Sequence, residues 1–121
     1  MAYALLGVPD YGVAAAKALR EADELLAPAS VEAELLNVVW KWGRGRVSQE
    51  TARVTFEYST RLWTELLPVA SIWPTALELA FASGHSPYDT LFVAAARLRQ
   101  TKVLTYDEKM LSLFPNDTIR V

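Results

Sequence analysis

The sequence predicts an α/β domain, in which short buried strands alternate with helices. Short apolar segments are separated by longer stretches whose apolar residues recur at helical spacing. Serine, proline and glycine lie where those helices would begin and end. This alternation is typical of a mainly parallel sheet covered by helices. The chain has 121 residues, 52% of them hydrophobic, which fits one domain over residues 1–121 with a core of its own.

The first half of the chain predicts three helices and one strand. Ser30 and Ser48 are N-cap residues for the second and third helices. Pro28 ends the strand, Gly43 ends the second helix, and Pro68 ends the third. The predicted ranges are 11–22 for the first helix, 24–27 for the strand, 31–42 for the second helix and 49–67 for the third.

The second half predicts further strands and helices. A strand is expected over 69–72, followed by a helix with Pro74 in its first turn that ends near Gly84. The next helix has a strong start, because Ser86 fits the N-cap, Pro87 the first helical position and Asp89 the acid of a capping box. Beyond it we expect a strand over 102–105, a helix over 107–113 and a last strand over 118–121.

Three acids are candidate metal ligands. Asp89 follows a tyrosine at a helix start, Asp107 follows a tyrosine at a strand end, and Glu34 shares a helical face with Asn37. A strand end and a helix start are where an α/β fold gathers polar groups beside its sheet. Hard oxygen ligands of this kind suit Mg²⁺ or Mn²⁺. Each acid also has an ordinary explanation: Asp89 and Asp107 as helix caps, and Glu34 as a solvated side chain.

Composition limits the classes of function. The net charge of −2 means that nucleic-acid contact needs a local basic patch. Lys41, Arg44 and Arg46 form such a patch, in which Trp42 offers a stacking surface; the alternative is a solvated helix end with Trp42 packed beneath it. The absence of cysteine excludes disulfides, thiolate metal sites and cysteine catalysis. We expect the single histidine, His85, to be a turn residue rather than a catalytic base.

Targeting signals are not evident in the sequence. The longest uncharged run, 66–77, is too short to span a bilayer, and no basic residues precede the apolar start. We therefore expect a cytoplasmic protein without a membrane partner. Trp40, Trp63 and Trp73 are expected to be core or interface anchors.

Three strings resemble the PIN-domain ribonucleases, in particular the VapC-type toxins of toxin–antitoxin pairs. They are E-L-L-N-V-V-W-K, Y-D-T-L-F-V-A-A-A and V-L-T-Y-D-E-K-M, in that order. The resemblance implies a three-layer α/β/α fold with a mainly parallel central sheet and an acidic cluster that binds Mg²⁺ or Mn²⁺ and cleaves RNA. It also implies a homodimer and an antitoxin partner.

Individual site roles come from the same resemblance. It identifies Glu34, Asp89 and Asp107 as metal ligands and catalytic acids. Thr105 is the hydroxyl that supports them, and Asn37 is a possible supporting residue.

The sequence departs from the family at its N-terminus. The family's first acid is an aspartate that ends the first strand, and no matching string is present. We expect that strand to be absent or truncated, and we expect the aspartate to be encoded upstream of an incorrectly assigned start. The alternative is a catalytically impaired PIN-like module that binds protein or RNA.

Overall fold

The structure is a computed structural model that describes residues 17, 18 and 20–121. The predicted helix 11–22 lies mostly outside the described residues; residues 17, 18, 20 and 21 are helical. The remaining elements, in chain order, are β1 Leu26–Pro28, α1 Val31–Trp42, α2 Gln49–Ser59, β2 Glu65–Leu67, α3 Val69–Ser83, α4 Pro87–Leu98, β3 Val103–Thr105, α5 Glu108–Leu113 and β4 Thr118–Arg120.

The described chain divides into two compact units. The first contains residues 30–65 and the described residues before Leu26. The second contains residues 26–29 and 66–121. Whether the chain folds as the single domain expected from its length stays a prediction.

Helices α1 and α2 pack together in the first unit. The side chains that α1 buries, Val31, Leu35 and Val39, follow the four-residue spacing of one helical face. Gly43, directly after α1, lets α2 approach closely, because a Cβ at this position would lie 3.3 Å from Cβ of Ala52.

The two predicted serine caps of this unit have different outcomes. Ser48 caps α2 as predicted, since its hydroxyl accepts a hydrogen bond from the N–H of Thr51 at 3.0 Å. The prediction that the Ser30 side chain caps α1 is wrong. Ser30 precedes α1 but already has helical backbone angles, and its buried hydroxyl has no partner among the described residues. An N-cap side chain reaches the free N–H groups from an extended backbone, which Ser30 lacks.

Helix α2 ends at Ser59, so the prediction that it continues to about Leu67 is wrong. The hydroxyls of Ser59 and Thr60 donate to carbonyls of the preceding turn at 2.5 and 2.7 Å, which competes with helix continuation. Thr64 then bonds the backbone of Leu25 through both its N–H, at 2.7 Å, and its hydroxyl, at 3.0 Å. The chain that follows is therefore strand β2.

The core of the second unit lies between α3, α4 and β1. Leu67, Ile72, Ala76, Leu91, Ala94 and Ala95 form one buried cluster, with Leu26 packed against it. Small alanines on α4 permit this close packing. The hydroxyl of Thr90, fully buried on α4, donates to the carbonyl of Ala76 on α3 at 2.7 Å. A hydrophobic contact and a buried hydrogen bond thus fix the position of α4.

The predicted strand 69–72 is wrong, because α3 begins at Val69, with Pro68 at its N-cap. Ile72 and Ala76 are both buried, so the apolar run follows helical spacing. Pro74 lies inside the helix, although its position was predicted to be the first turn. The predicted end at Gly84 is confirmed, since Gly84 has the left-handed φ of 72° that favours glycine at a helix C-terminus.

The predictions for the last four elements are confirmed to within about two residues. Ser86 caps α4 and Pro87 is its first residue. β3 and β4 pair in parallel, with Val103 opposite Thr118. A second buried cluster of Val93, Met110 and Phe114 joins α4 to α5.

An ion pair with two hydrogen bonds also connects α4 to the start of β4 in the second unit. The guanidinium of Arg97 donates to both carboxylate oxygens of Asp117, at 3.0 and 2.9 Å. The hydrogen bond to Asp117 raises the pKa of Arg97 above its ordinary value. The pair ties the last turn of α4 to the residue before β4.

The architecture is an α/β arrangement of helices and short parallel strands. The described strands form two two-stranded sheets, β1 with β2 and β3 with β4. A single central sheet in a three-layer fold stays a prediction. Within the described ranges, none of the helices has the length and apolar character needed to cross a bilayer.

Two of the three expected tryptophan anchors are not in the core. Trp40 and Trp73 are 56% and 52% exposed, and only Trp63 is half-buried. The core role predicted for Trp40 and Trp73 is therefore wrong, and a role at an interface stays a prediction.

Candidate metal centre

Asp89 lies in the first turn of α4, where Ser86 and Pro87 fix the helix start. The Ser86 hydroxyl accepts a hydrogen bond from the N–H of Tyr88 at 3.2 Å, so the end of the helix is already capped. The predicted capping box is not formed, because the half-buried Asp89 carboxylate accepts no hydrogen bond from the Ser86 N–H and instead approaches His85, with Oδ2 2.8 Å from the ring Nε2. Asp89 therefore faces a potential ligand as well as occupying its predicted place at the helix start.

Asp107 connects β3 to α5 and is the N-cap of α5. Its Oδ1 accepts hydrogen bonds from the N–H groups of Lys109, at 2.9 Å, and Met110, at 3.2 Å. The Thr105 hydroxyl accepts a hydrogen bond from the Asp107 N–H at 3.0 Å. Thr105 thus orients Asp107, and the capping bonds use one carboxylate oxygen and leave the other for a ligand.

His85 is a candidate ligand that the local sequence pattern did not indicate. It lies in the predicted turn, between Gly84 and the Ser86 cap, and its backbone N–H donates to the Ser83 hydroxyl at 3.2 Å. Its side chain is only 10% exposed. The sequence contains only a weak signal that His85 belongs to a site, which is that it precedes Asp89 by four residues. The burial of His85 depends on the tertiary fold.

The ring nitrogen of His85 is close to Asp89 without being hydrogen-bonded to it. Nε2 is buried and has no hydrogen-bond partner in the part of the chain that the structure describes. At the 2.8 Å separation from Asp89 Oδ2, this means that the oxygen lies off the direction of a ring N–H. A buried polar atom without a partner is costly, and a bound ion would satisfy it.

His85, Asp89 and Asp107 converge at one place. Each offers one ligand atom, and these three atoms all lie within 4.8 Å of one another. Two ligands that are each about 2.1 Å from an ion can be at most about 4.2 Å apart, so a spacing of 4.8 Å must close by about 0.6 Å or more to suit one divalent cation. The donor set of two carboxylates and one imidazole also fits such an ion.

Electrostatics favours a cation between the two aspartates. Two carboxylates at this separation repel each other by on the order of 1–3 kcal/mol near a protein surface. The neighbouring acid, Glu108, is paired elsewhere: its carboxylate lies 2.7 Å from Arg120, and that hydrogen bond lowers the pKa of Glu108. Asp89 and Asp107 are therefore the acids of this group that face the proposed ion.

The other predicted site residues belong to the first unit. Glu34 is half-buried in the first turn of α1, and Asn37 is exposed one turn later. Because Glu34 lies in the first unit and the two aspartates in the second, its membership of the metal centre stays a prediction, and so does the supporting role of Asn37.

The predicted basic patch is exposed around the end of α1. Lys41, Arg44 and Arg46 are all exposed, and the Arg44 guanidinium lies 4.9 Å from the centre of the Trp40 ring. Trp42 is half-buried. The exposed ring of the patch is therefore that of Trp40, although Trp42 was predicted for this role.

The family relationship agrees with this geometry. The PIN domain family model matches residues 2–113, which include Glu34, Asp89, Asp107 and Thr105. No curated protein matches the sequence significantly. PIN domains are typically metal-dependent nucleases that usually use Mg²⁺ or Mn²⁺, and PIN nucleases bind RNA. The match covers most of the chain, and the protein belongs to the PIN domain family, a nuclease superfamily.

Proposed function

We propose that the protein is a metal-dependent endoribonuclease that hydrolyses RNA phosphodiesters. The observation that carries this proposal is the convergence of Asp89 and Asp107, with His85, within 4.8 Å. The two aspartates come from different elements, α4 and the β3–α5 junction, and helix capping alone gives no reason for them to meet. Membership of a nuclease superfamily supports the same chemistry.

Each residue of the site has a distinct role in this proposal. Asp89 and Asp107 hold Mg²⁺ or Mn²⁺, and Glu34 contributes a third carboxylate. Thr105 holds the backbone of Asp107 through its 3.0 Å hydrogen bond, and Asn37 orients water or a ligand. When bound, the ion would lower the pKa of a coordinated water and neutralise charge on the phosphodiester.

RNA binding is assigned to Lys41, Arg44 and Arg46. All three cations are exposed, and Arg44 is held over the exposed Trp40 ring, which offers a surface for base stacking. Contacts between cations and phosphates weaken as salt rises, because bound counterions are released. We therefore expect RNA affinity to fall with salt, and the slope to become shallower when Lys41 and Arg46 are replaced by glutamine.

We also infer that the nuclease is the toxin of a cytoplasmic toxin–antitoxin pair and forms a homodimer. An exposed apolar stripe on α3, made of Trp73, Leu77 and the 81% exposed Phe81, supports a second copy as partner. Light scattering would report the dimer, and Phe81→Glu should convert it to a monomer.

A cavity of about 430 Å³ beside α1 and α2 supports the antitoxin as partner. It is lined by Leu36, Trp40 and Phe56, with Arg44 and Arg53 also in its wall. This combination suits an apolar segment that carries acidic residues.

The test is cleavage of a fluorophore–quencher RNA by the parent protein and by Asp89→Asn. The substitution keeps the size of the side chain and removes its charge, so we expect cleavage to fall at least a hundredfold, as it does on loss of groups that stabilise developing charge. Thermal unfolding should change little. Asp23→Asn is the matched control, because Asp23 is exposed and lies on no element of the proposed site.

Two outcomes would contradict the proposal. If Asp89→Asn cleaved RNA at the parent rate with saturating Mn²⁺, Asp89 would not be part of the site. A parent protein that binds RNA but neither binds Mn²⁺ at millimolar concentration nor cleaves would favour the alternative, a PIN-like binding module.

A further inference from the structure

We propose that His85 is a direct nitrogen ligand of the Asp89–Asp107 metal centre, and that it makes this centre prefer divalent transition metals such as Mn²⁺ over Mg²⁺. The inference rests on the metal site of the proposed function. It adds a ligand from outside the three strings that resemble the PIN-domain ribonucleases, and it gives that ligand a consequence for the choice of metal.

The geometry of His85 suits a ligand better than a hydrogen-bond donor. Its side chain is 10% exposed, and Nε2 is buried without a hydrogen-bond partner within the described chain. The nearest carboxylate oxygen, Asp89 Oδ2, is 2.8 Å away but off the N–H direction. Two adjacent ligand atoms on one ion are about 3 Å apart when each is about 2.1 Å from it, so the observed spacing suits neighbours in a coordination shell.

The backbone around His85 is fixed before any ion binds. Gly84 ends α3 in the left-handed conformation, and its N–H donates to the Ala80 carbonyl at 2.9 Å. The His85 N–H donates to Ser83 Oγ, which itself donates to the Leu79 carbonyl at 2.6 Å. These bonds place the imidazole at the end of α3, so little conformational entropy is lost when it binds a metal.

The chemistry of nitrogen gives the preference for transition metals. Mg²⁺ is a hard ion that favours oxygen ligands and retains its water, whereas imidazole is a common ligand of first-row transition metals. Replacing one oxygen ligand by His85 Nε2 therefore favours Mn²⁺, and later divalent metals still more, relative to Mg²⁺.

The experiment uses Mn²⁺ as the probe and electron spin echo envelope modulation as the readout. The chain contains one histidine, so with any purification tag removed, histidine-type ¹⁴N coupling to bound Mn²⁺ reports His85 alone. We expect this modulation in the parent protein, and we expect it to change to the ¹⁵N pattern when histidine is labelled. It should be absent in His85→Gln.

Competition between metals tests the consequence. The free Mn²⁺ signal reports displacement by Mg²⁺, and His85→Gln should reduce the preference for Mn²⁺ over Mg²⁺ by roughly tenfold or more, the scale on which metal sites respond to loss of supporting groups. Tyr88→Phe is the control, because Tyr88 is exposed beside Asp89 and outside the cluster, and it should keep the parent preference.

The outcomes separate this inference from the proposed function. Bound Mn²⁺ without histidine ¹⁴N modulation in the parent would overturn the role of His85 and leave the two-aspartate site intact. A parent protein that binds no Mn²⁺ at millimolar concentration would overturn both. Because the decisive measurement is made on the parent, a folding defect in His85→Gln cannot hide the result.

Discussion

Asp107 combines two roles that substitution can separate. Its Oδ1 caps α5 through the N–H groups of Lys109 and Met110, while its other oxygen is assigned to the ion. Asparagine caps a helix about as well as aspartate, so without metal Asp107→Asn should unfold within about 0.5 kcal/mol of the parent. Asp107→Ala loses the cap and should lose about 1 kcal/mol, or about 4 °C in Tm.

Metal should separate both Asp107 variants from the parent. At an Mn²⁺ concentration of about 100 times Kd, the parent should gain about 2.7 kcal/mol from binding. A site weakened about a hundredfold gains only about 0.4 kcal/mol at that concentration, so both Asp107 variants should lose most of the stabilisation. Chemical unfolding with Mn²⁺, and with a chelator instead, measures both quantities.

Two results would refute this reasoning about Asp107. If Asp107→Asn were as unstable as Asp107→Ala in the chelator, the cap would not explain the stability contributed by this residue. If Asp107→Asn kept the full stabilisation by Mn²⁺, its carboxylate would not be a ligand. Asp107 has both roles only if Asp107→Asn changes the unfolding free energy little without metal and loses the stabilisation by Mn²⁺.

Substitutions at three further positions test the framework that holds the site. Gly84→Ala should lower the free energy of unfolding by about 1 kcal/mol because alanine is strained at the φ of 72°, and Gly84→Asn should lower it by less. Equal stability of the parent and both variants would contradict this. Thr90→Val should cost about 1 kcal/mol by removing the buried 2.7 Å bond to Ala76, and urea unfolding that shows no loss would mean that the bond contributes nothing net. Because the pKa of Glu108 is lowered by Arg120, the stability that this pair contributes is present above the unfolded-state pKa of glutamate and is lost as pH falls through the folded one. The parent should therefore be more stable than Glu108→Gln at pH 7, with the difference vanishing on acidification; a difference that persisted below both pKa values would show another cause.

Local chemistry explains what the sequence predicted well. Ser86 and Pro87 determine the start of α4 through a side-chain cap and a fixed φ, both of which depend only on neighbouring residues. Asp107 is similar, since one carboxylate serves the first turn of α5. The placement of Asp89 and Asp107 on these elements could be predicted because the signals lie within a few residues of each acid.

Predictions failed where a short apolar run fits two structures. The segment 69–72 was predicted as a strand, but the burial of Ile72 and Ala76 on one face makes it the first turn of α3. The reverse error occurred at 65–67, where pairing between Thr64 and Leu25, distant in sequence, selects a strand. Such contacts are tertiary, so local periodicity does not contain them.

His85 shows the same limit at the site itself. A histidine in S-G-H-S-P has the sequence context of a turn, and the structure places it in the short connection between α3 and α4. Its importance comes from burial and from the nearby Asp89 and Asp107, and the second of these lies 22 positions further along the chain. A partner at that distance becomes visible only in three dimensions.

The central claim is that Asp89 and Asp107 form one metal site that serves RNA cleavage. The most direct test titrates Mn²⁺ by electron paramagnetic resonance into the parent, Asp89→Asn, Asp107→Asn and the double variant, with RNA cleavage measured in the same solutions. The parent should bind an ion that both single variants lose, the double variant should be no worse than either, and parent cleavage should rise with occupancy. Parent-like Mn²⁺ binding by either single variant, or parent cleavage that does not depend on Mn²⁺ or Mg²⁺, would contradict the claim.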